Sequence, residues 1–185
     1  MSSITVLIVT YNRRALLERF LSALAAQTFR LRQVLIVDNA STDGTRYLLR
    51  CLLPANLPQG QLVALGENLG GAGGFSEGLR LAIAQDAEWV WMMDDDAVPH
   101  PDALSELMRV ATDSRNIYGS LATSGDETSW LMTLLGDPPR KTCRVKDIPA
   151  QAQVQMLPFL GILIHRELVI RIGLPDPGFF IAADD

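Results

Sequence analysis

The sequence predicts an α/β fold with a doubly wound, mostly parallel sheet and helices on both of its faces. Short apolar runs alternate in the first half with segments whose apolar residues recur at helical spacing. The runs are continuously apolar, as expected of parallel strands that are covered on both sides. Polar or glycine-rich residues follow the runs, and ligands of such sheets bind beyond the carboxyl ends of the strands.

The predicted elements alternate regularly from the start of the chain. In order they are strand 4–9, helix 13–27, strand 33–38, helix 41–53, strand 61–66, helix 73–85, strand 88–94, helix 100–112 and strand 117–123. This succession gives the right-handed β-α-β crossovers of a parallel sheet.

Regular patterning fades after the ninth predicted element. Residues 124–153 carry scattered charges, prolines and glycines, so we expect a long mobile excursion there, acting as a lid or as a loop that contacts an acceptor. An extended apolar pattern returns at residues 154–165, and a short helix is expected at 166–173.

Composition limits the class of protein. A chain of 185 residues with 48% apolar residues suits one globular domain with a sizeable core. The net charge of -5 argues against a nucleic-acid binder. Two distant cysteines favour a reducing compartment, and no apolar run reaches the length of about 18 residues that a membrane span requires. We expect a cytoplasmic protein, and peripheral association with the inner face of the plasma membrane is compatible with the sequence.

Three consecutive carboxylates follow the fourth predicted strand, in the run WVWMMDDDAVPH. Alternation along an extended backbone would place Asp94 and Asp96 on one side. Two such carboxylates suit Mg²⁺ or Mn²⁺, hard cations that often share their oxygen ligands with phosphate. The alternative is a solvated acidic turn that caps the next helix.

Two further strand ends carry candidate ligand contacts. In VDNASTDGT, Asp38 or Asn39 could bind a base or a ribose hydroxyl, whereas Ser41, Thr42 and Asp43 are typical helix-capping residues. The run ENLGGAGGF opens a helix and could bring backbone N–H groups to an anion. It matches neither the dinucleotide-binding GxGxxG pattern nor a P-loop, and a tight strand-to-helix turn explains it equally well.

The chain closes on FFIAADD, an apolar run followed by two carboxylates. A carboxylate in this position could serve as a general base beside a metal site, or it could be an ordinary exposed terminus.

Together the segments VLIVTYNRRALLERFLSALAAQT, VDNASTDGT, MDDDAVP and FFIAADD resemble the family 2 glycosyltransferases of GT-A fold. These are inverting enzymes that use nucleotide-diphosphate sugars. The resemblance runs through essentially the whole chain in the family's order. NLGGAGGF with DDDA is most similar to the galactofuranosyl- and rhamnosyltransferase-like branch.

The resemblance implies a role for particular residues. Thr10 and Tyr11 would lie at the nucleotide edge, and Asn39 stands where many relatives have a second Asp. Asp185 matches the family's catalytic base. The expected nucleotide-sugar-binding residues are Thr10, Tyr11, Asn12, Asp38, Asn39, Asn68, Gly71, Asp94 and Asp95, and the expected metal ligands are Asp94 and Asp96.

The implied activity is transfer of a sugar from a UDP- or dTDP-sugar to a hydroxyl of a cell-surface glycan or lipid-linked acceptor, with Mg²⁺ or Mn²⁺. Residues 1–123 would form the nucleotide-sugar-binding half of a single domain and residues 124–185 the start of the acceptor side. Relatives continue beyond the late acidic motif, so a fragment is expected.

Two alternatives remain from the sequence. One is a nucleotide-sugar-binding module without turnover. The other is a sugar-phosphate nucleotidyltransferase, which would need a glycine loop after the first strand that TYNRR does not provide.

Overall fold

The computed structural model describes residues 3–57 and 59–180. Its elements are β1 (Ile4–Thr10), α1 (Arg14–Ala25), β2 (Gln33–Asp38), α2 (Thr45–Asn56), β3 (Gly60–Ala64), α3 (Gly70–Ala84), β4 (Trp89–Asp94), α4 (Ala103–Val110), β5 (Tyr118–Gly119), β6 (Thr123–Ser124), β7 (Glu127–Leu134), β8 (Arg140–Arg144), β9 (Leu160–His165) and α5 (Arg166–Ile172). A 3₁₀ turn, Val145–Asp147, follows β8.

The main sheet has six strands in the order β3-β2-β1-β4-β9-β5. Strands β1 to β4 are parallel, and β9 is antiparallel to both of its neighbours. This mostly parallel sheet with flanking helices confirms the predicted fold class.

Alternate residues of β1 explain why its run is apolar apart from Thr5. Ile4, Val6 and Ile8 pack into one core with apolar residues of α1, α2 and α4. Leu7 and Val9 point to the opposite face and pack with α3 and α5. Both faces of the strand are therefore buried, so neither face needs polar residues.

Helix α3 lies very close to β1. A Cβ at Gly74 would come within 2.6 Å of Val9 Cγ1, and a Cβ at Gly78 would come within 2.2 Å of Leu7 Cδ1. These two glycines are one helical turn apart, so they let the helix backbone rest directly on the strand. The contact holds the beginning of α3 beside the carboxyl end of the sheet.

The prediction of a mobile excursion at residues 124–153 was wrong. A second, antiparallel sheet of three strands in the order β6-β7-β8 occupies most of this stretch, and Thr128, Met132 and Leu134 are buried in it. Burial alternates along β7, but the residue types hide the alternation, because the buried position 128 is a Thr and the exposed position 131 is a Leu.

The structure divides the predicted fifth strand between the two sheets. Residues 118–119 form the two-residue β5 of the main sheet, and residues 123–124 form β6 of the second sheet. Because β5 runs in the same direction as β4, the chain enters the second sheet from the edge where β4 ends. Within the described part of the chain, no helix is long and apolar enough to cross a membrane.

Candidate functional site

The ends of β1, β2 and β4 meet at one edge of the main sheet. Thr10 lies opposite Asp38, and Val9 lies opposite Asp94. The N–H of Asn39 continues this alignment by donating to the carbonyl of Thr10 at 2.9 Å. The structure therefore brings together the strand-end residues that the sequence singled out in three different segments.

The acidic triplet changes from strand to turn within three residues. Strand β4 ends at Asp94, and Asp95 and Asp96 form a turn. The strand alternation that we used to place Asp96 beside Asp94 thus ends before Asp96. Asp94 is half-buried, Asp95 is buried and Asp96 is exposed.

Asp95 points into the protein and connects β4 to β1. Its carboxylate accepts a hydrogen bond from Thr10 Oγ1 at 2.5 Å and lies 3.7 Å from Nε of Arg13. Burial raises the pKa of Asp95 to about 6, although the Thr10 hydroxyl and Arg13 oppose the rise. Asp95 therefore stabilises the turn on which Asp94 and Asp96 lie, and its contact with a nucleotide sugar stays a prediction.

Asp38 is fully buried, and its carboxylate is neutralised by Arg46. Arg46 Nε donates to Asp38 Oδ2 at 2.5 Å, and Arg46 also donates to the carbonyl of Leu65 at 2.7 Å. The N–H of Ser41 approaches the other carboxylate oxygen at 3.2 Å. The predicted contact of Asp38 with a ligand stays a prediction, since both oxygens already have partners within the protein.

Sequence reasoning missed Arg46. The signal was available, because a carboxylate at the end of a buried strand requires a cation nearby and Arg46 lies in the first turn of the following helix.

Asn12 organises the turn between β2 and α2. With φ at 55°, it lies in the left-handed region, and its Oδ1 accepts from Thr42 N at 2.7 Å and Asp43 N at 3.3 Å. Asp43 Oδ1 in turn accepts from the N–H of Thr45 at 2.9 Å, although the residue at the cap position of α2 is Gly44, which has no capping side chain. Tyr11, beside Asn12, leaves 44% of its surface exposed at this edge.

The glycine loop, residues 66–71, joins β3 to α3 and meets the end of β2. Asn39 contacts it through both polar atoms of its amide: Oδ1 accepts from Leu69 N at 2.9 Å, and Nδ2 donates to the Gly70 carbonyl at 2.8 Å. Asn68 Oδ1 accepts from Gly70 N at 2.9 Å. The N–H of Gly71, which we expected to face an anion, donates to the Phe180 carbonyl at 3.1 Å.

The donor set at the acidic turn fits a divalent cation only in part. Among the residues that the structure describes, no group of three His, Cys, Asp or Glu side chains could hold a metal ion. Asp94 and Asp96 offer carboxylate oxygens, which suit Mg²⁺ or Mn²⁺, and the remaining oxygen ligands would have to come from a diphosphate or water. Asp184 and the predicted base Asp185 lie outside the described residues.

A mostly parallel sheet with an acidic turn at the end of its fourth strand is the architecture expected of a GT-A-type fold. Residues 5–173 match the model of glycosyl transferase family 2, and the chain belongs to that family. Both the predicted fold and the predicted family are thus confirmed.

Curated relatives include two proteins named galactofuranosyltransferase GlfT1. The one from Mycolicibacterium smegmatis is 30% identical over 197 residues, which cover 96% of this chain and 61% of the relative. The one from Mycobacterium tuberculosis is 31% identical over 207 residues, which cover 99% of this chain and 62% of the relative. The chain therefore spans about three-fifths of the length of these relatives, and their names agree with the predicted galactofuranosyltransferase-like branch.

Solved structures share the fold at low sequence identity. The mannosyltransferase PcManGT from Pyrobaculum calidifontis, in complex with GDP-Man and Mn²⁺, has a TM-score of 0.67 and 23% identity over 92% of this chain and 46% of its own. S. aureus TarS in complex with UDP has a TM-score of 0.68 and 18% identity, covering 98% of this chain and 52% of its own. GalNAc-T7 with UDP, GalNAc and Mn²⁺ reaches a TM-score of 0.76 at 15% identity, with 97% of this chain and 38% of its own covered.

Proposed function

We propose that this protein transfers a sugar from a nucleotide-diphosphate donor to an acceptor hydroxyl, with inversion at the anomeric carbon. One observation carries the proposal: in a family 2 chain, Thr10, Asp38 and the acidic turn at Asp94 converge on one edge of the sheet. Family membership does not favour the alternative of a sugar-phosphate nucleotidyltransferase.

Asp94 and Asp96 would hold Mg²⁺ or Mn²⁺ together with the diphosphate of the donor. The bound cation would supply charge neutralisation of the diphosphate leaving group. The carboxylate chemistry of the turn supports this assignment, and so do the Mn²⁺ ions named for PcManGT and GalNAc-T7. Asp95 would support the site indirectly, by holding the acidic turn in place through its contacts with Thr10 and Arg13.

The nucleoside would lie against the end of β1. The exposed ring of Tyr11 offers an apolar face there, and Asn12 and Asn68 bring polar groups to the same edge. Asp38 would shape this edge through its ion pair with Arg46. UDP is the nucleotide to test first, because UDP is named with TarS and GalNAc-T7.

The chemical step follows from the family resemblance. Asp185 would accept the proton of the acceptor hydroxyl, whose oxygen forms the new bond to the anomeric carbon while the bond to the diphosphate breaks. The names of the curated relatives support galactofuranose as the sugar.

Residues 1–123 would bind the donor and residues 124–185 would begin the acceptor side, since the second sheet leaves from the edge where β4 ends. The acceptor would be a cell-surface or lipid-linked glycan, reached at the inner face of the membrane.

Calorimetric titration with UDP, with and without Mn²⁺, tests the donor site. We expect UDP to bind at least about tenfold more tightly when Mn²⁺ is present, because the cation offsets repulsion between the carboxylates and the diphosphate. Asp96→Ala should remove this dependence on Mn²⁺. The matched control is Asp126→Ala, which changes an exposed Asp between β6 and β7 and should behave as wild type. An unchanged Mn²⁺ dependence in Asp96→Ala would contradict the assignment.

A further inference from the structure

We infer that Asn39 is a positioning residue, which holds the glycine loop in the shape that receives the backbone of Phe180. The inference deepens the proposed function and rests on it, because the chain leads from Phe180 to the predicted base Asp185 within five residues. Asn39 would thereby connect the donor edge of the sheet to the segment that carries the base.

Both polar atoms of the Asn39 side chain bind the glycine loop. The residue is only 2% exposed, and its two polar atoms bind the N–H of Leu69 and the carbonyl of Gly70. An Asp at this position could accept from Leu69 but could not donate to Gly70. Its carboxylate would instead face the Gly70 carbonyl oxygen in a buried place, where two acceptors without a proton between them repel each other.

Gly70 and Gly71 form the surface that the backbone of Phe180 contacts. Gly70 has φ at +71°, and a Cβ there would lie 2.1 Å from the carbonyl oxygen of Phe180. Only glycine permits both this conformation and this approach of the two backbones. Gly71 lies in the first turn of α3, where an N–H has no acceptor within the helix, and the carbonyl of Phe180 supplies one.

These contacts form one continuous connection. Asn39 at the end of β2 fixes Leu69 and Gly70, and the adjacent Gly71 binds Phe180. Because the amide of Asn39 is used in this way, we assign it to the loop and not to the nucleobase. The two roles make opposite predictions for an Asn39→Asp variant, since a loop-holding residue affects Phe180 and a base-contacting residue affects UDP affinity.

Backbone amide exchange at Gly71 reports the connection directly, because protection of this N–H depends on Phe180 and not on the helix. In Asn39→Asp we expect Gly71 to exchange at least about tenfold faster, the effect of losing one buried hydrogen bond. The matched control is Asn68→Asp. Asn68 contributes only its oxygen to the loop, which Asp retains, so its Gly71 exchange should stay near wild type. Amides of β1 serve as the internal reference.

Two further measurements keep the inference falsifiable. Asn39→Ala removes both hydrogen bonds to the loop without adding a charge and should also expose the Gly71 amide, which covers the case in which Asn39→Asp does not fold. The second measurement is the affinity of Asn39→Asp for UDP with Mn²⁺: any loss should accompany faster Gly71 exchange, because it would act through the loop that carries Asn68. Unchanged Gly71 exchange with a large loss of UDP affinity would overturn the inference, as would equal acceleration of the β1 amides. Failure of wild type to bind UDP, dTDP or GDP with Mn²⁺ would instead refute the proposed function, and the Gly71 exchange would still test the role of Asn39.

Discussion

The ion pair between Asp38 and Arg46 makes a quantitative prediction for the edge of the sheet. Asp38 is fully buried, whereas the Arg46 side chain keeps 32% of its surface exposed. Arg46→Met preserves most of the apolar contact of the side chain but removes both the charge and the hydrogen bond to Leu65. Removing one partner of a buried ion pair lowers the free energy of unfolding by about 3–5 kcal/mol. Because Arg46 is partly exposed, we expect a loss near the lower end of this range, about 3 kcal/mol.

Urea unfolding followed by circular dichroism measures this loss. The matched control is Arg50→Met, the same substitution one turn later on α2 at an exposed position, which should change the free energy of unfolding by less than about 0.5 kcal/mol. Adding Asp38→Asn to Arg46→Met should recover part of the lost stability, because no unpaired charge is then buried. Equal effects of Arg46→Met and Arg50→Met would refute the claim that Arg46 compensates a buried carboxylate.

Two other predictions concern packing and pH. Gly74→Ala should lower the free energy of unfolding by about 1–3 kcal/mol despite the better helix propensity of Ala, because its Cβ would approach Val9 to 2.6 Å. Gly66→Ala, where a Cβ meets nothing within 4 Å, is the control in the same thermal or urea assay, and equal losses would contradict the close packing of α3. Asp95 has its pKa raised from 3.8 to about 6, so the folded state holds this proton more tightly and stability should fall as pH rises between these values. Over this pH range, the free energy of unfolding of metal-free wild type should fall by up to about 3 kcal/mol more than that of Asp95→Asn. If the stabilities of the two proteins changed in parallel with pH, the role of burial would be disproved.

The sequence alone was sufficient to predict the parallel part of the main sheet. The strands β1, β2 and β4 are buried on both faces, so each appears as an apolar run, broken only by Thr5 in β1, that is followed by polar residues. Their parallel direction follows from the helices between them. The meeting of Thr10, Asp38 and Asp94 at one edge is a consequence of that topology, which is why these residues could be grouped before the structure was known.

The rest depended on contacts between distant segments. The second sheet escaped prediction because the residue types of β7 do not follow its alternating burial: Thr128 is buried and Leu131 is exposed. The partners of Asn39 and Gly71 lie in other segments of the chain, and local patterns hold no information about which amide meets which carbonyl. The residue types identified the candidates for the site. Only the three-dimensional arrangement distinguishes those that bind other parts of the protein at the sheet edge from those that face solvent.

Paramagnetic broadening of backbone amide signals by Mn²⁺ in the presence of UDP tests the central claim most directly. If a divalent ion and a diphosphate complete the acidic turn, the signals of Asp96 and Ala97 should disappear, while that of Thr142 in the second sheet should keep its intensity. Broadening centred on the second sheet, with Asp96 and Ala97 unaffected, would contradict the account.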